Sequence, residues 1–148
     1  MSTGCAVRGL PTGGAREHPD GVADLQDVRR LALQLPGTLE RQGRDGTVSW
    51  TVRGTGFVWE RPLRKGDLQA LGAAAPTGTV LGVKVADLGV KQALLAADPE
   101  VVFTTPHFDG YPAVLVRLDD IGLPDLEELV VDAWRTRASK RQREQLDG

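Results

Sequence analysis

The residues of this chain best suited to chemistry lie together in Thr104-Thr-Pro-His-Phe-Asp-Gly-Tyr-Pro-Ala-Val-Leu-Val-Arg117. One of the two histidines and the only tyrosine occupy this Pro/Gly-rich loop, which feeds an apolar strand. His107 has the ring chemistry of a general base or a metal ligand. The spacing His-x-Asp-x-Tyr would set His107, Asp109 and Tyr111 on one rim, a candidate contact for a small ligand. Base catalysis also needs a nucleophile within reach, and the sequence suggests none nearby. A divalent ion wants three or four protein ligands, and the other histidine, His18, lies in a terminal segment. No catalytic residue, metal or cofactor is therefore assigned. Asp109-Gly110 between Pro106 and Pro112 also has ordinary turn chemistry, so a structural loop remains an alternative.

A second candidate is electrostatic. Residues 40–65 hold Arg41, Arg44, Arg53, Arg61, Arg64 and Lys65 against Glu40, Asp45 and Glu60, a local charge of +3. Residues 135–148 hold five cations against Glu144 and Asp147, again +3, so the remainder must be strongly acidic. Arginine and lysine supply the charge and geometry that phosphates need. The same pattern would also arise from a charged hairpin edge guarded against aggregation and an ordinary basic tail. Lys84, mid-strand between Val83 and Val85, would face solvent or a ligand groove. Trp50, Phe57 and Trp59 belong to the same hairpin and suit either base stacking or a core under the first helix. The glycines at 54–56 and 72–82 form neither a dinucleotide fingerprint nor a Walker loop.

These residues have to be positioned by elements that the apolar pattern predicts. Leu25, Val28, Leu31, Ala32 and Leu35 recur at helical spacing behind Asp24 as N-cap, and Pro36-Gly37 ends the run. Val48, Trp50 and Val52 alternate as a strand, Gly54-Thr55-Gly56 makes a turn, and Phe57 and Trp59 return. Asp67–Leu71 suggests one helical turn. Val80–Val85 is a third strand, and Asp87 caps a second helix that Asp98-Pro99 ends. Val101–Thr104 and Ala113–Leu118 are the last two strands. Pro124 opens a final helix with Leu126, Leu129, Val130, Ala133 and Trp134 on its apolar stripe. The order α-β-β-β-α-β-β-α predicts an α+β fold, a two-layer α/β sandwich with an antiparallel sheet and helices on one face.

A chain of 148 residues suits one domain. Residues 1–19 read as a flexible tail, 20–140 as the domain and 141–148 as a basic, frayed tail. The composition, 41% hydrophobic and 26% charged, is that of a globular protein, and the formal charge of −2 offers no global basic field. A single cysteine, Cys5, fits a reducing compartment. No run is apolar enough to span a membrane and the first residues lack a signal peptide's apolar core, so a cytoplasmic location is expected.

Three segments resemble the MmcQ/YjbR-like family. Asp27-Val-Arg-Arg-Leu-Ala-Leu-Gln-Leu-Pro-Gly37 is similar to its opening helix and stop, and Leu81-Gly-Val-Lys-Val85 to its lysine-bearing strand. Asp109-Gly-Tyr-Pro-Ala-Val-Leu-Val116, with the helix containing Trp134, is similar to its C-terminal half. The resemblance spans about residues 22–140. It implies an α-β₃-α-β₂-α arrangement like that of secretion chaperones, and a DNA-binding "double wing" whose hairpin-like elements flank a groove. Many members carry a His/Trp/Asn segment where this chain has Asp109-Gly-Tyr-Pro. Two readings follow. In one, the protein is a non-enzymatic DNA-binding protein whose phosphate contacts are Arg41, Arg44, Arg53, Arg61, Arg64, Lys65 and Lys84. In the other, the uncovered sheet face and the loop 106–112 bind a small ligand or a protein, a second copy of the chain included.

Overall fold

The computed structural model describes residues 23–76 and 78–148. The tail expected over residues 1–19, with Cys5 and His18, lies outside them. Helix α1 (Leu25–Leu33) precedes β1 (Leu39–Gln42), β2 (Val48–Val52) and β3 (Thr55–Glu60). Then come α2 (Lys65–Leu71), β4 (Val80–Lys84), α3 (Leu88–Ala97), β5 (Val102–Phe103), β6 (Ala113–Arg117), α4 (Leu123–Arg137) and α5 (Lys140–Asp147). The strands form one antiparallel sheet in the order β1-β2-β3-β4-β6-β5. The fold is thus the α+β two-layer class read from the sequence. Among the described residues, no helix is long and apolar enough to cross a membrane.

Strand parity splits the core in two. Leu81, Val83 and Val85 of the β4 segment join Val102, Val114 and Val116 under α1 and α4, with Leu126, Val130, Ala133 and Trp134 from above. Val80, Phe103, Ala113 and Leu115 point the opposite way and form a smaller cluster with Phe108, Leu63 and Leu71. The long helices α1 and α4 cover one face, as expected. The other face is not bare, because α2 and the 3₁₀ turn Pro106–Phe108 cover part of it. The uncovered face expected for ligand or partner binding is correspondingly reduced.

Capping explains where the helices begin. Asp24 and Asp27 form a reciprocal box on α1, each carboxylate accepting the other's backbone N–H at 3.0 Å. Asp87 accepts from Val90 N–H at 2.8 Å at the start of α3. The Pro36-Gly37 stop is tied down as well, since Trp134 Nε1 donates to Pro36 O at 2.9 Å.

Three expectations are corrected. The sheet has a sixth strand, β1, whose Leu-Glu-Arg-Gln sequence is exposed throughout. An edge strand held by backbone pairing to β2 needs no apolar alternation, so the hydrophobic pattern missed it. The β2–β3 turn falls at Arg53-Gly54, not at residues 54–56. Both turn residues have positive φ, 55° and 80°, as the tight hairpin turn matching strand twist requires. Residues 141–148 do not fray but form most of α5. Ser139 and Gln142 make a capping box at 2.9 and 3.1 Å, and Arg135 grips Asp147 through two bonds of 2.6 and 3.2 Å.

A β-bulge also reassigns the aromatics. Between Trp50 and Thr51 the β2–β3 register slips by one residue. The consecutive residues Phe57 and Val58 are therefore both fully buried in the main core, beside Trp50. Trp59 falls on the second face, away from the first helix, and its indole lies across Gly82, its partner on β4. A β-carbon at Gly82 would overlap that ring. Gly82→Ala should therefore lose about 1–3 kcal/mol in urea denaturation. In a Trp59→Ala background the same change should lose less, and equal losses in the two backgrounds would place the indole elsewhere.

Candidate functional site

Three of the cations in this chain are built into its interior, and all three converge on the loop 105–112. Arg61 follows β3 and is only 7% exposed. Its guanidinium pairs with Asp67 at 3.0 Å, donates to Pro62 O, and lies 5.3 Å from the centre of the Phe108 ring. Burial raises the Asp67 carboxyl pKa, but the Arg64 N–H at 2.9 Å and the Arg61 charge outweigh it and hold the group below its ordinary value. Thr105 Oγ1 makes no hydrogen bond of ordinary length, and its dipole adds only in the same direction. Lys84, at the end of β4, donates to Val85 O at 3.1 Å and Pro112 O at 3.3 Å, with Nζ 5.6 Å from the Tyr111 ring. Lys91, on α3, donates to Phe108 O at 2.6 Å and Tyr111 O at 2.9 Å. Burial lowers the pKa of both lysines. The Arg137 charge acts the same way on Lys84, whereas Asp109 pulls Lys91 upward.

This arrangement changes the reading of the charged candidates. Arg61 and Lys84, expected on phosphates, are buried and already engaged, Arg61 by Asp67 and Lys84 by the carbonyls of Val85 and Pro112. Arg53 is exposed but occupies the β2–β3 turn, at the opposite end of the hairpin from the β1–β2 turn. Arg41, Arg44, Arg64 and Lys65 remain. All four are exposed and make no ion pair among the described residues. Arg44 sits in the β1–β2 turn, and the register places Arg41 opposite Ser49 on the face that carries Trp59. Arg64 caps the start of α2, which Lys65 opens. Asp45 ties this corner together. Its carboxyl is held below the ordinary value chiefly by the Thr47 hydroxyl and N–H, at 2.6 and 3.0 Å, and also by the charge of Arg64.

The chemical candidates in the loop fare differently. His107, Asp109 and Tyr111 are exposed, and their side chains make no hydrogen bond or ion pair among the described residues. The His107 ring packs edge-on against Phe108 at 5.0 Å, and Tyr111 lies 6.4 Å from the same ring. Lys91 and Lys84 direct their hydrogen bonds to carbonyls of this segment, and Lys84 Nζ also lies over the Tyr111 ring. Among the described residues, no group of three His, Cys, Asp or Glu side chains is placed to hold a metal.

One feature escaped the sequence reading. A mostly apolar cleft of about 350 Å³ opens between α3 and α4, lined by Val85, Val90, Leu94 and Leu129 together with two carboxylates, Glu128 and Asp132, and two cations, Lys84 and Arg135. The signal was present in α3, whose apolar residues exceed one face and leave Leu88 and Val90 exposed.

Fold and site together define a small α+β domain with a basic corner on its strand meander and an internally cross-braced loop. The family model described as YjbR matches residues 33–136, and the chain belongs to that family. It is 50% identical over 123 residues to the uncharacterized protein Rv2570 of Mycobacterium tuberculosis (strain ATCC 25618 / H37Rv). It matches the uncharacterized protein Mb2600 of Mycobacterium bovis (strain ATCC BAA-935 / AF2122/97) to the same extent. Each alignment covers 81% of this chain and 92% of the relative. The crystal structure of Deinococcus radiodurans protein DR2400, of domain family DUF419, superposes with a TM-score of 0.61 at 19% identity, over 86% of this chain and 90% of that one. At that identity the likeness concerns the fold.

Two outcomes are expected. Arg61→Ala leaves the Asp67 carboxylate buried and unpaired and should destabilise the protein by about 3–5 kcal/mol, whereas Arg44→Ala should stay within about 0.5 kcal/mol. Chemical denaturation of the two variants makes the comparison. The lysines act through pH. A lysine whose folded pKa lies below the ordinary value of about 10.5 binds fewer protons folded than unfolded in the window between the two. Stability should therefore rise with pH through that window. The urea midpoint should increase as pH rises toward the ordinary lysine value of about 10.5, and less so in Lys91→Met. A parallel rise in both proteins would assign the effect to other groups.

Proposed function

We propose that this protein is a non-enzymatic DNA-binding protein whose phosphate contacts are Arg41, Arg44, Arg64 and Lys65. The observation that carries the reading is the convergence of exposed, unpaired cations from β1, the β1–β2 turn and the start of α2 on one corner. Phosphate oxygens are bound chiefly by such cations, and they draw in a duplex without any base-specific feature. The β1–β2 hairpin would act as one wing, in line with what the family resemblance implies. Arg61 and Lys84 take no part in the contact and serve only to hold the corner's support in place.

The test is fluorescence anisotropy with labelled duplex DNA across a salt series. The protein should bind at low salt, and affinity should fall with a log–log slope of about 0.9 per phosphate contact. An Arg44→Glu/Arg64→Glu variant should fold normally, lose at least an order of magnitude in affinity and show a shallower slope. Wild-type affinity in that variant, or no binding by the parent at low salt, overturns the proposal.

A further inference from the structure

Helix α3 reverses the usual pattern of a surface helix, which turns its apolar residues inward and its charges outward. Its only charged residue, Lys91, is buried and bonds the loop carbonyls, while Leu88 and Val90 are 46% and 40% exposed. Gln92, Ala93, Ala96 and Ala97 are exposed as well, so the outward side of the helix carries no charge at all. An exposed apolar surface of this kind marks a place of contact. The α3–α4 cleft, about 350 Å³, lies beside it, with Val90 in one wall and Leu129 in the other. An apolar ridge and an apolar recess thus share one surface. That is the requirement for an isologous contact, in which the same patch on two copies is complementary to itself.

The charges around the cleft balance, Lys84 and Arg135 against Glu128 and Asp132. Arg135 also bonds Asp147 and lies in the field of Asp132. No net sign is left to select an anion or a cation. The charges on α4 do have a direction, however. Glu128 precedes Arg135 by seven residues, two turns or about 10 Å along the helix. A two-fold axis reverses α4, so the acidic end of one copy meets the basic end of the other. A second copy of the chain therefore offers both the uncharged ridge and the reversed order of charge.

We infer that the α3–α4 surface is an interface between two copies of this chain related by a two-fold axis. Leu88 and Val90 of each copy pack at the cleft of the other, and Glu128 faces Arg135 of the partner subunit. The interface is independent of the DNA reading, and each can fail without the other.

The experiment is sedimentation velocity of the full chain over a concentration series reaching about 1 mM. The mass should pass from monomer to dimer along the series. Val90→Glu sets a charge into the apolar contact and should weaken association at least about tenfold. Its urea midpoint should stay near the parent's, because the position is exposed in a single copy. Charge exchange reads the register. Glu128→Lys and Arg135→Glu should each weaken self-association, since like charges then face each other. An equimolar mixture of the two should associate more tightly than either alone, since each new charge meets its opposite. Arg135→Glu also releases Asp147, a loss the mixture does not repair, so restored association reports the facing charges. A parent that stays monomeric through the series overturns the inference. So does a Val90→Glu variant that dimerises like the parent, or a mixture no tighter than its components.

Discussion

The fold hangs on how three buried cations are satisfied. Arg61, Lys84 and Lys91 come from three separate elements, and a buried charge is tolerated only when it is paired or well hydrogen-bonded. The loop 105–112 meets that demand. It supplies the Phe108, Tyr111 and Pro112 carbonyls and the Phe108 and Tyr111 rings, while Asp67 supplies the one buried counter-charge among the described residues. The dependence runs both ways. The Phe108, Tyr111 and Pro112 carbonyls each accept a backbone N–H, from Tyr111, Ala113 and Val85, and the lysine ammonium groups add a second donor from the end of β4 and from α3. The loop is therefore irregular in backbone but fixed in place, and α2, α3 and β4 are fixed relative to one another through it.

That constraint explains which parts of the molecule were legible in its sequence. Elements driven by apolar periodicity stood out, as α1 and α4 did, because burial of one face dictates a 3.6-residue repeat. Capping was legible for the same local reason at Asp24 and Asp87. β1 was not, since its cohesion is backbone pairing and its side chains are free to be polar. The fate of Trp59 was not, since a one-residue bulge two positions earlier inverts the parity on which alternation rests. The cations were the least legible. Arg61 and Arg64 differ by three positions and share a side-chain type. One lies under Phe108 and the other in solvent, a difference set by where Asp67 and the loop sit in three dimensions.

The candidate site was thus half visible. Composition located the basic segment, and the structure divides it into a structural set, Arg61 with Lys84, and an exposed set, Arg41, Arg44, Arg64 and Lys65. Arg53 stands apart at the far turn, in a left-handed conformation that leaves its side chain exposed. The histidine loop drew attention for its residue types, yet what matters in it is its carbonyls and the Phe108 ring, groups that a search for titratable side chains passes over. The α3–α4 cleft was announced only by the surplus apolar residues of α3, Leu88 and Val90 among them, while its existence is a property of the distance between two helices.

A net charge of −2 looks like an argument against any contact with nucleic acid. The physics of screening weakens it. At physiological ionic strength a charge is felt over roughly 8 Å, so a phosphate at the sheet corner responds to the cations beside it and hardly to carboxylates on a distant helix. The relevant quantity is the local balance, and there the exposed cations outnumber Asp45 and Glu60. Glu60 is further occupied, accepting the Val48 N–H at 3.2 Å, and Asp45 is turned onto Thr47. The acidic groups at the corner are thus spent on backbone and hydroxyl donors of the turns, while the guanidinium and ammonium groups are left facing water.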